Sequence, residues 1–241
     1  MKEQKFLTVI QNKEIAKNIF LIKLFGEFNS VPIAGQFVNI KINNLYFRRP
    51  MSICDFGENI LTIIYKIIGK GTYNLSKINS GTKLDVLFPL GNGFNINIVK
   101  GNITLIGGGL GLAPLYFLAK TLKKLNKYFK IYAGFRTSGE IFFLKKFSGL
   151  GEINIATQDG SFGNKGFVTE LLNNLNNIYY FACGPMSMMN AVRKIFGTNG
   201  QVSLEERMAC GFGACMGCTL KTKSGNKRIC LEGPVFEAKD F

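Results

Sequence analysis

The sequence predicts an antiparallel β-barrel or sandwich, then an α/β parallel-sheet domain, then a small cysteine-held module. Three observations carry this reading. Residues 1–98 form short runs rich in Val, Ile, Phe and Thr. Residues 99–200 alternate strand-like and helix-like patterns. Residues 201–241 lose regular patterning and hold four of the six cysteines. A chain of 241 residues is long enough for two compact domains and an extra module.

The first segment supplies six strands: KFLTVIQ, NIFLIKLF, QFVNIKI, PMSICDF, NILTIIYKI and KLDVLFPLG. VPIAGQ and GENI provide turns between them. Short strands punctuated in this way close into barrels or sandwiches. The second segment opens with the buried strand NITLIG and the amphipathic helix LAPLYFLAKTLKKL, which ends in lysines. KIYAGF is a strand and EIFFLKKF a short helix. EINIAT is a strand and FVTELLNNL a helix; IYYFACG and MSMMNAVRKIF repeat the pair. Such alternation predicts a parallel sheet covered by helices. There is no internal repeat and no low-complexity linker.

Composition narrows the chemistry. The start, MKEQKFLTVIQNKEIAKNIFLIKL, is interrupted too often by polar residues for a signal peptide. The uncharged stretch ITLIGGGLGLAPLYFLA is broken by four Gly and a Pro into strand, turn and helix, so no membrane span is expected. The expectation is a cytoplasmic protein, where thiols stay reduced and clustered cysteines serve metals or catalysis. Net charge is +15, but the lysines are scattered singly. No nucleic-acid-binding signature accompanies them, so nucleic acid is not an expected partner. Histidine is absent. That removes Ser-His-Asp catalysis, His-ligated zinc and Rieske centres. Hydride and electron transfer survive, because there a cofactor performs the difficult step and no side chain need be catalytic.

Five motifs remain. RRPMSI (48–53) offers forked guanidinium donors suited to a pyrophosphate, and Ser52 a hydrogen bond to a ring nitrogen. GKGTYNL (69–75) places Gly71 and Thr72 at a helix start whose free amides suit a phosphate. Alone, each is an ordinary strand end or helix start. IGGGLGLAP (106–114) lies between a strand and a helix, where glycines admit a diphosphate. Its spacing is not G-x-G-x-x-G, since residue 112 is Leu. The next strand leads into Arg136 and not into an acidic residue. ACGPMSMM (182–189) sits at a strand end, where parallel sheets bind ligands. By itself Cys183, like Cys54, reads as a small buried thiol.

The fifth motif is the most specific. Cys210, Cys215 and Cys218 are spaced C-x4-C-x2-C, and Cys230 follows. This is plant-type spacing for a [2Fe–2S] cluster. Structural zinc ordinarily uses two C-x2-C knuckles, and only one exists here. Gly211, Gly213 and Gly217 suit a loop whose amides turn toward sulfur.

The order RPMS, GKGT, GGGLGLAP, CGP and a four-Cys tail resembles the ferredoxin-reductase superfamily. Within it, SLEERMACGFGACMGC (203–218), ICLEGPVF (229–236) and QDGSFGNKGFVTE (158–170) resemble the electron-transfer subunits of type B dihydroorotate dehydrogenases. The likeness spans essentially the whole chain. It implies an FAD-binding barrel over 1–98, an NAD-binding α/β domain over 99–200 and a [2Fe–2S] module over 201–241. It assigns Arg49, Pro50, Met51 and Ser52 to the first flavin motif. Ile64, Tyr65 and Lys66 match the second, and Gly71 and Thr72 the phosphate turn. Gly107, Gly108, Gly109, Gly111, Cys183, Gly184 and Pro185 face NAD(H); Cys210, Cys215, Cys218 and Cys230 hold the cluster. The implied function is electron transfer, in pyrimidine biosynthesis, between NAD and a partner FMN-containing dihydroorotate dehydrogenase catalytic subunit. The implied assembly is a heterotetramer with two copies of each.

Two rivals stand beside this expectation. One is a reductase subunit of a hydrogenase, sulfide dehydrogenase or transhydrogenase complex. The other is a non-redox binding protein with a zinc-stapled tail.

Overall fold

The computed structural model describes residues 2–99, 101–173 and 175–240. The expected helix FVTELLNNL includes Asn174, which lies outside them.

Six strands close the first barrel: β1 (Glu3–Ala16), β2 (Ile19–Phe25), β3 (Phe37–Ile40), β4 (Arg49–Gly57), β5 (Ile60–Lys66) and β6 (Lys83–Leu90). Their order is β1-β2-β5-β4-β3-β6, every pair antiparallel. Alternation sends Val9, Ile22, Val38, Ile40, Ile53, Ile63 and Val86 into one buried interior. The β4–β5 turn passes through Glu58 and Asn59, both at positive φ (52° and 58°), the twist that two-residue hairpins favour. A short helix, α1 (Lys70–Ser76), follows β5.

The second sheet runs β10 (Asn164–Lys165), β9 (Glu152–Thr157), β8 (Phe129–Phe135), β7 (Asn102–Gly108), β11 (Ile178–Cys183), β12 (Gly200–Ser203), β15 (Val235–Glu237). All neighbours are parallel except β12 and β15. Thus two strands from beyond residue 199 complete this sheet, and the cysteine loop leaves from one and returns to the other. Between them lie a hairpin, β13 (Thr219–Thr222) with β14 (Gly225–Arg228), and the short α5 (Ile229–Glu232).

Helix α2 (Leu112–Lys124) is wedged between sheet and barrel. Leu115, Leu118 and Ala119 share a core with the barrel's Ile19, Cys54 and Ile64. Lys120 Nζ reaches Asp55 of β4 at 2.6 Å across the same seam. On the sheet's other face, α4 (Met186–Phe196) packs through Met189 and Val192.

Two expected helices are shorter than their patterns suggest. EIFFLKKF is helical only as α3 (Leu144–Ser148), because Phe143 before it takes φ 57°, a left-handed conformation that cannot continue a helix. FVTELLNNL forms a 3₁₀ turn over Val168–Leu172. The turn is tied off in the i→i+3 pattern: Glu170 N donates to Phe167 O at 3.0 Å, and Phe167 N donates back to Glu170 Oε1 at 2.9 Å. No helix among the described residues is long and apolar enough to cross a membrane.

Candidate functional site

The barrel presents a cleft of about 880 Å³ whose floor is β4, β5 and the start of α1. Arg49, Pro50, Met51, Ser52, Ile64, Tyr65, Lys66, Gly71 and Thr72 all line it. Its far wall is the segment Ser203–Met208, which leads directly to Cys210.

Local chemistry explains how each group sits. The first intrahelical bond of α1 runs from Tyr73 N to Gly69 O at 2.9 Å. The amides of Lys70, Gly71 and Thr72 have no carbonyl one turn earlier, which leaves donors for an anion. The Thr72 hydroxyl accepts from Ile68 N at 2.9 Å and donates to Gly69 O at 3.1 Å, so its side chain shapes the turn. Gly71 matters for room: a Cβ there would lie 2.3 Å from Arg49 Nε. Its absence lets the guanidinium, which also donates to Phe47 O, lie directly over the amides. A cradle of free amides beneath a forked cation fits a pyrophosphate. Tyr65 spends its hydroxyl on Asn12 Oδ1 at 2.9 Å, and burial pushes its pKa up.

A second cleft, of about 590 Å³, opens at the carboxyl ends of the parallel strands. Gly108, Gly109, Gly111, Gly184 and Pro185 line it. Gly107 and Cys183 are not among its lining residues. A Cβ on Gly107 would meet Leu112 Cδ1 at 1.9 Å, so that glycine serves strand–helix packing. Cys183 is fully buried; desolvation raises its thiol pKa, and Glu205 nearby raises it further. A Cβ on Gly111 would lie 2.2 Å from Cys183 O, so glycine lets α2 begin against the end of β11.

Lys66, Leu110 and Glu205 line both clefts. This junction joins residues from β5, the β7–α2 turn and the segment after β12. Sequence reasoning found Lys66 and missed the other two. Glu205 is open to the cleft yet ringed by protein atoms, and lost solvation raises its carboxyl pKa. Two glutamates at the end of a strand entering the cysteine motif were the available signal. Lys66 Nζ also binds Glu140 Oε1 at 2.7 Å, and Glu140 grips Arg136. Arg136 therefore lines the second cleft with its charge already paired.

The four tail cysteines form two pairs. Cys210 and Cys215 sulfurs are 3.4 Å apart, and those of Cys218 and Cys230 are 3.2 Å apart. Both separations far exceed a disulfide bond of about 2.05 Å, and all four thiols are free. Among the described residues no three metal-ligating side chains converge as the shell of a single ion. Two sulfur pairs suit a two-iron cluster, each pair serving one iron, better than one tetrahedral zinc. The surrounding amides agree. Cys215 N donates to Cys210 Sγ at 3.4 Å, and Cys230 N to Cys218 Sγ at 3.4 Å. Burial raises the Cys210 thiol, but amides of Cys215, Phe212 and Gly213 outweigh it and bring its pKa down to about 6. Arg228 ties the loop to the α5 cysteine: it donates to Gly213 O at 2.8 Å and pairs with Glu232 at 2.8 Å.

Known proteins resemble this chain along nearly its whole length. The model of the iron–sulfur cluster binding domain of dihydroorotate dehydrogenase B matches residues 205–241. A protein of Fusobacterium nucleatum subsp. nucleatum named dihydroorotate dehydrogenase B (NAD(+)), electron transfer subunit, is 42% identical over 249 residues, covering 97% of this chain and 96% of that protein. A protein of the same name from Bacillus pumilus is 40% identical, covering 99% and 98%. A chain of an NADH-dependent reduced ferredoxin–NADP oxidoreductase superposes with TM-score 0.87 at 29% identity, over 98% of this chain and 89% of that one. Phthalate dioxygenase reductase shares the fold at TM-score 0.71 and 18% identity, over 92% of this chain and 87% of that one.

Proposed function

The chain belongs to the electron-transfer subunits of dihydroorotate dehydrogenase B (NAD(+)), and from that premise we propose that its two clefts and four paired cysteines form one electron path. The observation that carries this is the shared lining of the clefts by Lys66, Leu110 and Glu205, with the first cleft's wall running on into Cys210. A ligand in either cleft ends against the other, and the cluster loop is the next element along the wall.

FAD supplies the exchange between a two-electron hydride and single electrons, and the [2Fe–2S] group carries single electrons onward. The residues do the holding. Arg49 and the amides of Gly71 and Thr72 take the FAD pyrophosphate. Pro50, Met51, Ser52, Ile64 and Tyr65 bound the flavin ring, with Ser52 offering a hydroxyl to it. Gly109, with open space where a Cβ would stand, lets NAD(H) approach the backbone, Gly108 and Gly111 line the same cleft, and Gly184 and Pro185 bound its nicotinamide half. Gly107 and Cys183 support that wall from behind. Glu205 and Lys66 stand together at the junction, with Lys66 bridged to Glu140, a carboxylate it shares with Arg136. Cys210 with Cys215, and Cys218 with Cys230, hold the irons.

An electron-transfer subunit works with a catalytic partner subunit. We assign that partner an FMN group and the oxidation of dihydroorotate, in an assembly with two copies of each subunit. The working division of the chain is an FAD-binding barrel over 1–98, a nucleotide-binding unit over 99–200 and a cluster module over 201–241, inside the cytoplasm. The likeness to the ferredoxin–NADP oxidoreductase chain favours one second reading, a reductase subunit of a different complex.

Anaerobic purification tests the proposal. The expected product is brown-yellow, with flavin bands, a broad cluster shoulder, and iron and acid-labile sulfide in equal amounts. NADH should bleach the flavin. A colourless protein holding zinc would overturn it. Capture from the native cell of a hydrogenase or sulfide-metabolising subunit, in place of a dihydroorotate-oxidising one, would establish the second reading.

A further inference from the structure

Strand β3 alternates between two interiors. Val38 and Ile40 point into the barrel, whereas Phe37 belongs to the separate core that also holds Cys218, Ile229, Cys230 and Phe236. Asn39 shares the outward face with Phe37 and has no solvent exposure at all. Its backbone pairs with Pro50 in the flavin-binding strand β4. Its side-chain Nδ2 donates to Cys210 O at 3.2 Å. The reverse amide orientation would set Oδ1 against a carbonyl oxygen. In the orientation found, Oδ1 is buried with no hydrogen-bond partner among the described residues.

That orphaned oxygen is informative. Burying an unsatisfied polar atom costs stability, and an apolar side chain at this position would carry no such cost. The neighbouring loop is built around the amide. Gly211 takes φ +75°, and a Cβ there would lie 2.2 Å from Asn39 Nδ2. The Cys210–Gly211 peptide therefore rests directly on the Asn39 side chain. The guanidinium of Arg48, just before β4, reaches Asn39 O at 3.5 Å and Asp85 O at 3.0 Å and pairs with Asp85 Oδ2 at 2.7 Å, so it bridges β3 and β6.

We propose that Asn39 is the positioning residue that registers the iron–sulfur loop on the flavin-binding barrel, holding the Cys210–Gly211 peptide so that the following amides face the Cys210 sulfur. The inference rests on the reading of Cys210 as a cluster ligand. A hydrogen bond to the Cys210 carbonyl polarises that peptide and fixes where the loop begins the turn that brings the Cys215 amide to Cys210 Sγ at 3.4 Å. Amide hydrogen bonds to cluster sulfurs favour the reduced, more negative state and so raise the reduction potential. Asn39 is thus a contact through which the barrel and the cluster share one rigid frame.

The test uses the anaerobically purified holoprotein and two variants, Asn39→Leu and Asn39→Asp. Iron, sulfide and FAD contents are measured first. The cluster potential then comes from a redox titration followed by electron paramagnetic resonance of the reduced cluster. Absence of iron in the wild type would refute the cluster reading itself, independently of Asn39. With wild-type iron present, the expected result is full FAD in both variants, altered resonance g-values and a more negative cluster potential. Loss of iron from both variants with FAD retained also supports the inference, since the loop has lost its register. Val38→Ala, on the barrel side of the same strand, should lower the melting temperature and leave the resonance unchanged. Unchanged g-values and potential in Asn39→Leu would overturn the inference. So would loss of FAD and cluster together with the fold in both variants, which would make Asn39 a barrel-stability residue only.

Discussion

At the scale of single residues, charge pairing matters most at Glu140. This buried carboxylate accepts from Arg136 and from Lys66 at once, and those bonds hold its pKa below the ordinary value against the opposing effect of burial. It shares its single negative charge between Lys66 and Arg136, and so partly offsets Arg136, the cation just after β8 that would otherwise be more available to a 2′-phosphate. Glu140→Gln should therefore improve the kcat/KM for NADPH relative to NADH. The Arg136 side chain is 67% exposed, so the gain is that of a screened pair, roughly 0.2–1 kcal/mol, or up to about fivefold. An unchanged ratio of the two kcat/KM values would exclude this role. A depressed carboxyl pKa contributes stability that is complete above its unfolded value, near 4.5, and is lost as pH falls through the folded one. Acid titration of the melting temperature should thus fall less steeply below pH 4.5 in Glu140→Gln than in the wild type.

Among the elements, helix α2 governs how the two clefts meet. It starts at a point where a Cβ on Gly111 would strike the Cys183–Gly184 backbone, and backbone cannot swing aside as a side chain can. Gly111→Ala should push the helix start off β11. Overpacking of this kind costs roughly 1–3 kcal/mol, and a chain of this size loses about 2–4 °C in Tm per kcal/mol. The KM for NADH should rise, because Gly111 lines the nucleotide cleft. FAD content should fall less, because Arg49, Gly71 and Thr72 lie off this helix, although Leu110 and Ala113 beside Gly111 reach the first cleft. Thermal melting and flavin absorbance on one sample separate the two effects; FAD loss equal to the loss of nucleotide affinity would contradict this division.

Considered as a whole molecule, the proposed path takes hydride in at the proposed nucleotide cleft and lets electrons out by the cysteine loop. The nucleotide cleft opens at the carboxyl ends of the parallel strands. Around the cluster loop, Met216 is 62% exposed, Phe212 46% and Leu231 39%. Exposed apolar side chains beside an electron exit suit a partner that must approach closely. Met216→Lys should weaken association with the catalytic subunit and leave iron, FAD and NADH-driven reduction of artificial acceptors unchanged. The isolated chain should show no dihydroorotate-dependent reduction of NAD+, and co-expression with the partner should restore it. Size-exclusion chromatography with that assay decides the matter: a Met216→Lys complex of wild-type stability would move the docking surface elsewhere, and dihydroorotate oxidation by the lone chain would refute the need for a partner.

The sequence alone determined the features whose information is local. Six alternating strands made the barrel, and strand–helix alternation made the parallel sheet. Cysteine spacing implied a cluster, because ligand geometry around Cys210, Cys215 and Cys218 is written within nine contiguous residues. Tertiary structure decided what depends on residues far apart in the chain. Lys66, Leu110 and Glu205 meet only because three separate elements end at one place. Gly107 and Cys183 share the motifs of lining residues yet face packing partners, a choice set by the face of the sheet that α2 covers. Asn39 carries no motif at all, and its place beside Cys210 arises from folding a 171-residue separation into one hydrogen bond. Strands β12 and β15 enter the second sheet from a segment whose pattern looked irregular, because short strands gain their stability from neighbours and not from their own periodicity.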